Sequence, residues 1–210
     1  RGSLLYANLL FNNSEWFDAL FQYRRTLWID SVNFDAQFGV ALCLYHMQEY
    51  GDAVVAMRKS LKIDSYNHST YFYLGLSLMA ENNYGSAIVN LTQSLLLDPD
   101  NADTYFNLGK SYYEIGKIVH SREAFNRVIN INAQYGPAHY YLGLINENIM
   151  EIEQAVESYT LAREYSPYIE DVHYRLGMLL YRTGNLKKAM EPLREFIIYQ
   201  PDSIHVLEAM

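Results

Sequence analysis

The stretch that decides the fold runs from residue 103 to residue 116 and reads Asp103-Thr104-Tyr105-Phe106-Asn107-Leu108-Gly109-Lys110-Ser111-Tyr112-Tyr113-Glu114-Ile115-Gly116. Its apolar residues Tyr105, Leu108 and Tyr112 lie three and four positions apart, the spacing of one face of an amphipathic α-helix. Gly109 lies beside that face, where the lack of a side chain lets a second helix approach closely. This packing must outweigh the cost of glycine inside a helix, about 1 kcal/mol against alanine. Gly116 predicts the end of the helix, because glycine takes the left-handed conformation that other residues resist.

The same pattern returns every 34 residues on both sides of this stretch. The glycine, always preceded by leucine, recurs at Gly75, Gly109, Gly143 and Gly177. A small residue follows twelve positions later at Ala87, Ser121, Ala155 and Ala189. Prolines close the copies at Pro99, Pro167 and Pro201. Counting back by the same period gives weaker copies at Val40-Ala41 and Tyr6-Ala7. A fixed period of this length indicates an array of helical repeats.

Each copy is predicted to be an antiparallel pair of helices joined by a short turn. In the copy quoted first, the second helix is predicted from about Ile118 to Ile131, with Phe125 facing inward. The small residue of the second helix is the predicted point of close packing against the first helix.

These residues make the chain similar to the tetratricopeptide repeat (TPR) family over essentially its whole length. The resemblance implies an all-α fold, a right-handed α-solenoid of about six stacked antiparallel helix pairs, known as a TPR superhelix. A single TPR array is expected over residues 4–203, with repeats near 4–33, 34–67, 68–101, 102–135, 136–169 and 170–203.

Both ends of the chain carry expectations of their own. Arg1-Gly2-Ser3 match what remains of a protease-cleavable tag, and residues 204–210 begin a further or capping helix. Repeat arrays need a polar cap over their last apolar face. The apolar end near Leu207 therefore predicts a fragment of a longer protein or an end covered by another chain.

Composition and charge narrow the classes of partner. Half of the residues are hydrophobic and 19% are charged, which fits a globular chain. The formal charge of −8 would repel a polyanion, so nucleic acid is a poor partner. No run is long enough to span a membrane, and no signal segment is visible. The single cysteine, Cys43, is predicted to be a buried thiol. These features favour the cytoplasm, although an exported or membrane-associated full-length protein stays open.

The resemblance also implies a binding groove, because in this family the first helix of each pair lines the concave side of the array. Positions shortly before and after the repeat glycine would face it. The predicted groove residues are Phe38, Leu42, Tyr45, Phe72, Tyr73, Leu76, Phe106, Asn107, Lys110, Tyr113, Tyr140, Tyr141, Leu144, Tyr174, Arg175, Met178, Tyr181 and Arg182.

Two features of this set leave alternatives open. The aromatic residues three before the glycine form either a ligand platform or ordinary packing. The residue just after the glycine is usually polar in the family but is apolar here at Leu42, Leu76, Leu144 and Met178. These four residues form either an exposed interaction patch or buried contacts between repeats.

The fifth copy departs from the family pattern at Asn146, Glu147 and Asn148, where an aromatic residue or leucine is usual. A loosely packed unit, a polar pocket and a solvated helix end are all open at this point. The solvated helix end is the prediction we prefer.

The groove chemistry favours an apolar partner. The family's clamp for a terminal carboxylate needs lysine three before the glycine, where this chain has Leu4, phenylalanines or tyrosines. An extended segment with hydrophobic or aromatic anchors, or an amphipathic helix, fits better. Arg175 and Arg182 would select an acidic flank.

No catalytic, metal or cofactor motif is found in the sequence. His139 and His173 lie one repeat apart in a slot that holds Tyr71 and Tyr105 in other copies, so we interpret them as core residues with a polar tip. No third ligand completes a zinc site. The sequence therefore predicts a non-enzymatic interaction scaffold or adaptor that takes no cofactor and binds a protein or peptide. A self-assembling repeat protein, with a homo-oligomer formed through an uncapped end, and a regulatory or substrate-binding arm of a larger enzyme are the alternatives.

Overall fold

The computed structural model describes residues 2–169 and 171–200, and every regular element in these residues is an α-helix. The helices are α1 (Gly2–Asn12), α2 (Trp16–Ile29), α3 (Phe34–His46), α4 (Tyr50–Ile63), α5 (His68–Ala80), α6 (Tyr84–Leu97), α7 (Ala102–Glu114), α8 (Ile118–Ile131), α9 (Gly136–Asn148), α10 (Ile152–Tyr165), α11 (Val172–Arg182) and α12 (Leu186–Tyr199). The predicted all-α class is confirmed, and so is the predicted range of the second helix of the fourth copy.

Asparagine side chains start three of the first helices. Asn33, Asn67 and Asn101 stand immediately before α3, α5 and α7, and each side-chain oxygen accepts a hydrogen bond from the backbone N–H three residues later. This contact satisfies one of the N–H groups that a helix N-terminus leaves without an intrahelical partner.

The turn inside each helix pair needs one residue in the left-handed conformation. Gly116 takes it with φ of 72°, as predicted, and Gly184 takes it with φ of 77°. In the other four copies the equivalent residues are not glycine, and they are Ser14, Gln48, Asn82 and Met150, with φ between 58° and 64°. Side-chain atoms disfavour this conformation, so these four turns carry a cost that the two glycine turns do not.

The contacts divide the chain into two compact units. Unit 1 comprises residues 1–117 and holds α1 to α7, and unit 2 comprises residues 118–210 and holds α8 to α12. Within each unit, consecutive helices pack on each other, both inside a pair and between neighbouring pairs.

The small residues of the repeat lie where the helices approach most closely. A Cβ atom on Gly75 would stand 2.7 Å from Leu91 in unit 1, and one on Gly143 would stand 2.5 Å from the ring of Tyr159 in unit 2. The alanines and the serine of the second helices are buried, at Ala19, Ala53, Ala87, Ser121, Ala155 and Ala189. The predicted close-packing role of these positions is confirmed.

Cys43 is fully buried in the core of unit 1, as predicted. Burial raises the pKa of its thiol to about 12, so the group stays protonated and unreactive at neutral pH.

Some expectations concern the ends of the chain. Gly2 and Ser3 lie in α1, while Pro201 and residues 204–210, including Leu207, lie outside the described residues. Across residues 2–169 and 171–200, we find no helix of the length and apolarity that a membrane crossing requires.

Candidate functional site

The predicted groove residues all lie on first helices of the pairs, on α3, α5 and α7 in unit 1 and on α9 and α11 in unit 2. Sixteen of the eighteen are half-buried, and only Tyr181 and Arg182 are exposed. Half-burial means that these side chains pack on a neighbour and still present atoms to solvent.

In unit 1, four aromatic side chains meet between α3 and α5. The ring of Tyr73 lies at the centre, with its centroid 5.3 Å from that of Phe72, 5.3 Å from Tyr45 and 6.2 Å from Phe38. All three contacts are edge-to-face, the arrangement that aromatic quadrupoles favour. We call Phe38, Tyr45, Phe72 and Tyr73 the aromatic cluster. Burial raises the pKa of Tyr45, with smaller contributions from Tyr50 and Tyr73.

The apolar residues that follow the repeat glycine are half-buried. Leu42 packs against the core of unit 1 and Leu144 against the core of unit 2, and Leu76 and Met178 are half-buried as well. These four side chains are therefore neither fully exposed nor fully buried, and their part in an interaction patch stays a prediction.

The last first helix of unit 1, α7, is more polar. The Nζ atom of Lys110 lies 5.7 Å from the ring centroid of Phe106, one helical turn earlier, within the range of a cation–π contact. The side-chain amide of Asn107 donates to the backbone oxygen of Asp103 at 2.8 Å.

In unit 2, five polar side chains form a hydrogen-bonded network between α9, α10 and α11. Arg175 donates from Nε to Asp171 at 2.5 Å and from its terminal nitrogen to Glu147 at 3.5 Å. The Tyr159 hydroxyl donates to the same oxygen of Glu147 at 2.7 Å, and the Tyr140 hydroxyl donates to Asp171. We call Tyr140, Glu147, Tyr159, Asp171 and Arg175 the polar network.

The network fixes the protonation of its members. Burial, then the hydrogen bond to Asp171, raises the pKa of Tyr140 far above its usual value. Burial and the hydrogen bond to Glu147 do the same for Tyr159. Burial alone would lower the pKa of Arg175, but the hydrogen bond and charge of Asp171 more than offset this and raise it. Both hydroxyls therefore stay donors and Arg175 stays charged at any physiological pH.

The preferred prediction for the fifth copy was wrong at two of its three residues. Asn146 is buried, with its side-chain amide 3.3 Å from the Ser158 hydroxyl, and Glu147 belongs to the polar network. Only Asn148 is exposed. The physical reason is that the side chains of Asn146 and Glu147 face α10 rather than solvent. A carboxylate placed there needs hydrogen-bond partners, and Glu147 finds them in Tyr159 and Arg175. The departure from the pattern was visible in the sequence, but its partners, on α10 and α11, were not.

A pocket of about 240 Å³ opens beside the network. It is lined by Glu147, Asp171, Tyr174, Arg175, Met178 and Arg182. Four of these six residues were predicted groove residues, namely Tyr174, Arg175, Met178 and Arg182. Arg175 is held by Asp171 and Glu147, whereas Arg182 is exposed and forms no ion pair with any described residue. Arg182 is therefore the pocket's available cation.

Tyr141 has a different role from the other predicted residues of α9. Its ring stacks on that of Phe125 of α8, with centroids 5.0 Å apart and planes 18° from parallel. Because Phe125 is fully buried, Tyr141 mainly joins α9 to α8.

The two repeat-related histidines are core residues, as interpreted from the sequence. His139 and His173 are buried, and each lies with Nε2 within 2.8 Å of a carbonyl oxygen in the loop before its helix, that of Ala133 or Pro167. A carbonyl only accepts, so Nε2 carries the proton in both. Among residues 2–169 and 171–200, no three histidine, cysteine or carboxylate side chains are placed to hold a metal ion.

Helix pairs with a 34-residue period and a half-buried wall on their first helices define a helical-repeat protein of the kind that serves protein interaction. The family model described as TPR repeat matches residues 75–116, and two described as Tetratricopeptide repeat match residues 102–135 and 171–203. The chain is a tetratricopeptide repeat protein. No curated protein sequence matches it.

Three solved structures have similar folds and are distant from this chain in sequence. PilF from Pseudomonas aeruginosa superposes with a TM-score of 0.85 at 19% identity, covering 99% of this chain and 94% of that one. PilW, described as a type IV pilus biogenesis factor, gives 0.80 at 15% identity, with 98% and 96% covered. YrrB, described as a TPR protein with an unusual peptide-binding site, gives 0.72 at 21% identity, with 89% and 96% covered. These likenesses support the solenoid fold of stacked helix pairs.

Proposed function

We propose that this chain is a non-enzymatic scaffold that binds a peptide segment or helix of a partner protein on the first helices of its pairs. The observation that carries the proposal is the half-burial of the aromatic cluster. Four aromatic rings in mutual contact still present surface to solvent, and apolar surface of this kind marks interaction sites. The likeness to YrrB, itself described as having a peptide-binding site, supports the same class of ligand.

The aromatic cluster would supply the affinity in unit 1. Covering apolar surface yields roughly 25 cal/mol per Å², from which the cost of association is subtracted. Phe38 and Phe72 offer ring surface without a polar tip, and Leu76 and Phe106 extend the apolar surface on α5 and α7. An extended strand or an amphipathic helix with apolar anchors would fit such a surface.

The pocket of unit 2 would supply selectivity. Its carboxylates are already bonded to Arg175 and to tyrosine hydroxyls, so they are poor sites for a cation. Arg182 has no such partner and would pair with an acidic side chain of the bound segment. An acidic side chain is therefore the partner group that we propose for this pocket.

The test selects peptides from a random displayed library on the immobilised 210-residue chain and measures the affinity of the best one by fluorescence anisotropy. We expect Phe72→Ala and Phe106→Ala to weaken binding at least tenfold each, because each removes an apolar anchor. Leu96→Ala on α6 is the matched control, since it trims an exposed apolar residue of a second helix. Unchanged affinity in folded Phe72→Ala and Phe106→Ala proteins would contradict the proposal.

A further inference from the structure

The aromatic cluster of unit 1 continues into a longer series of ring contacts. Phe34 stacks on Phe38 with the ring centroids 5.8 Å apart. At the other end, Tyr45 contacts His46 at 5.4 Å, and His46 stacks on Trp16 at 4.4 Å with the planes 12° from parallel. The series follows α3 from its first residue to its last, a length of about 18 Å at 1.5 Å per residue. We call it the ring chain, and it consists of Phe34, Phe38, Tyr73, Tyr45, His46 and Trp16.

The two helices that carry most of the ring chain are nearly uncharged. α5 contains no aspartate, glutamate, lysine or arginine, and α3 contains only Asp35. Burial lowers the pKa of His46, so its imidazole ring is neutral at pH 7. By charge complementarity, the ring chain therefore suits an uncharged segment of a partner, unlike the pocket of unit 2 with its exposed Arg182.

Three polar groups of the ring chain have a hydrogen to donate and no acceptor within the part of the chain that the structure describes. They are the hydroxyls of Tyr45 and Tyr73 and the indole N–H of Trp16, and all three reach solvent. By contrast, the hydroxyls of Tyr23 and Tyr159 donate to side-chain oxygens of their own unit. A ligand that brings acceptors and few donors would therefore complement this surface.

We propose that the ring chain binds a proline-rich segment in the polyproline II conformation, an inference that rests on the proposed peptide binding. A polyproline II backbone forms no internal hydrogen bonds, so its carbonyl groups are free to accept from Tyr45, Tyr73 and Trp16. Proline has no N–H group, so the segment brings no donor that this surface would leave unpaired. An amphipathic helix fits less well, because its backbone carbonyls are already bonded within the helix.

Length and conformational freedom favour the same ligand. At a rise of 3.1 Å per residue, about six residues of polyproline II cover the length of α3. The conformation is largely formed before binding, so little freedom is lost on the ring chain. Unit 2 offers no such surface, because the equivalents of Tyr45 and Tyr73 are Glu147 and Arg175, which form an ion pair.

The experiment measures the binding of a fluorescently labelled oligoproline peptide of about ten residues to the 210-residue chain by fluorescence anisotropy. We expect saturable binding. Tyr45→Phe and Tyr73→Phe keep the rings and remove one donor each, and each is expected to weaken binding about fivefold, the usual effect of one lost neutral hydrogen bond. Tyr66→Phe is the matched control, because it removes the hydroxyl of an exposed tyrosine outside the ring chain and should leave the affinity unchanged.

A peptide of the same length made of glycine and serine is expected to bind at least tenfold more weakly, because it is flexible and carries no apolar rings. If oligoproline does not bind while peptides selected from the random library do, this inference is overturned and the proposed function stands. If neither kind of peptide binds, both are overturned. Oligoproline binding that is unchanged in both Tyr45→Phe and Tyr73→Phe would also overturn the inference, since the free donors would then play no part.

Discussion

The aromatic cluster of unit 1 and the polar network of unit 2 are built on the same positions of the repeat. Tyr45 and Glu147 are equivalent, four residues after the repeat glycine position, and Tyr73 and Arg175 are equivalent, two before it. In unit 1 the pair is a ring contact at 5.3 Å, and in unit 2 it is an ion pair at 3.5 Å. One backbone geometry therefore brings together either two rings or two charges, and the side chains alone decide which surface a unit offers.

At a third repeat position, too, the side chain decides which kind of contact forms. Phe38 and Tyr140 both lie three residues before the glycine position and differ by one hydroxyl group. Phe38 contacts the ring of Tyr73, whereas the Tyr140 hydroxyl donates to Asp171. At these positions unit 1 thus has ring contacts, and unit 2 has hydrogen bonds that need each partner in place. Unit 2 should consequently respond more strongly to small changes.

The largest difference is expected where the repeat glycine meets its neighbour. Gly143→Ala would place a Cβ atom 2.5 Å from the Tyr159 ring, which is buried and anchored through its hydroxyl to Glu147. Gly75→Ala would place a Cβ atom 2.7 Å from the buried side chain of Leu91, which no hydrogen bond holds in place, and 3.5 Å from the backbone oxygen of Ala87. Overpacking costs about 1–3 kcal/mol, and alanine regains about 1 kcal/mol over glycine inside a helix, so we expect a net loss of about 2 kcal/mol for Gly143→Ala and about 0.5 kcal/mol or less for Gly75→Ala.

Native-state hydrogen exchange measures the two losses of stability separately, in α9 and α10 for Gly143→Ala and in α5 and α6 for Gly75→Ala. Gly85→Ala is the control, because nothing lies within 4 Å of the Cβ atom it would add. Equal losses at Gly143 and Gly75 would show that the anchored tyrosine makes unit 2 no stiffer than unit 1.

The next largest effect is expected from removing the cation of the polar network. Arg175→Met leaves the carboxylates of Glu147 and Asp171 half-buried without their common partner. Breaking a fully buried pair costs 3–5 kcal/mol, but these groups are partly solvated, so we expect about 2 kcal/mol. The equivalent change in unit 1, Tyr73→Met, removes only ring contacts and should cost about 1 kcal/mol.

Urea unfolding of both variants measures the free energies, and the double variant Glu147→Gln/Arg175→Met supplies the control. It should recover part of the stability lost in Arg175→Met, because one of the unpaired charges is gone. A double variant that is less stable than Arg175→Met would contradict the interpretation that Arg175 compensates the charge of Glu147.

Part of this arrangement could be predicted from the sequence, and part could not. The period of Gly75, Gly109 and Gly143 is local and gives the helix pairs, their turns and the close-packing points. The partners of Glu147 lie 12 and 28 residues away, at Tyr159 and Arg175, so the pairing depends on how α9, α10 and α11 come together. A pattern of single positions shows an unusual residue there, but it does not show what that residue contacts.

A smaller difference is expected at a buried hydroxyl in the second helices. Tyr23 and Tyr159 occupy the same repeat position, and each hydroxyl donates at 2.7 Å, to the neutral side chain of Asn8 and to the charged side chain of Glu147 respectively. A hydrogen bond to a charged group contributes about 1.5–3 kcal/mol and a neutral one about 1 kcal/mol. We therefore expect Tyr159→Phe to cost about 2 kcal/mol and Tyr23→Phe about 1 kcal/mol in the free energy of unfolding. Losses in the reverse order would indicate that the carboxylate of Glu147 is satisfied by Arg175 without the tyrosine.

The smallest effect concerns the turns, where the two units should behave alike. Met150 in unit 2 and Gln48 in unit 1 are exposed and hold the left-handed conformation that Gly116 and Gly184 hold in their own copies. The left-handed conformation costs a residue with a side chain about 1–2 kcal/mol, and substitution by glycine removes this cost. Part of the gain in stability is cancelled, because glycine has more conformational freedom to lose when the chain folds. Met150→Gly and Gln48→Gly should each stabilise the chain by about 0.5–1 kcal/mol in urea unfolding. A gain confined to one of them would mean that the units differ in their turns as well as in the side chains of their first helices, and the contrast between rings and charges would no longer account for the difference by itself.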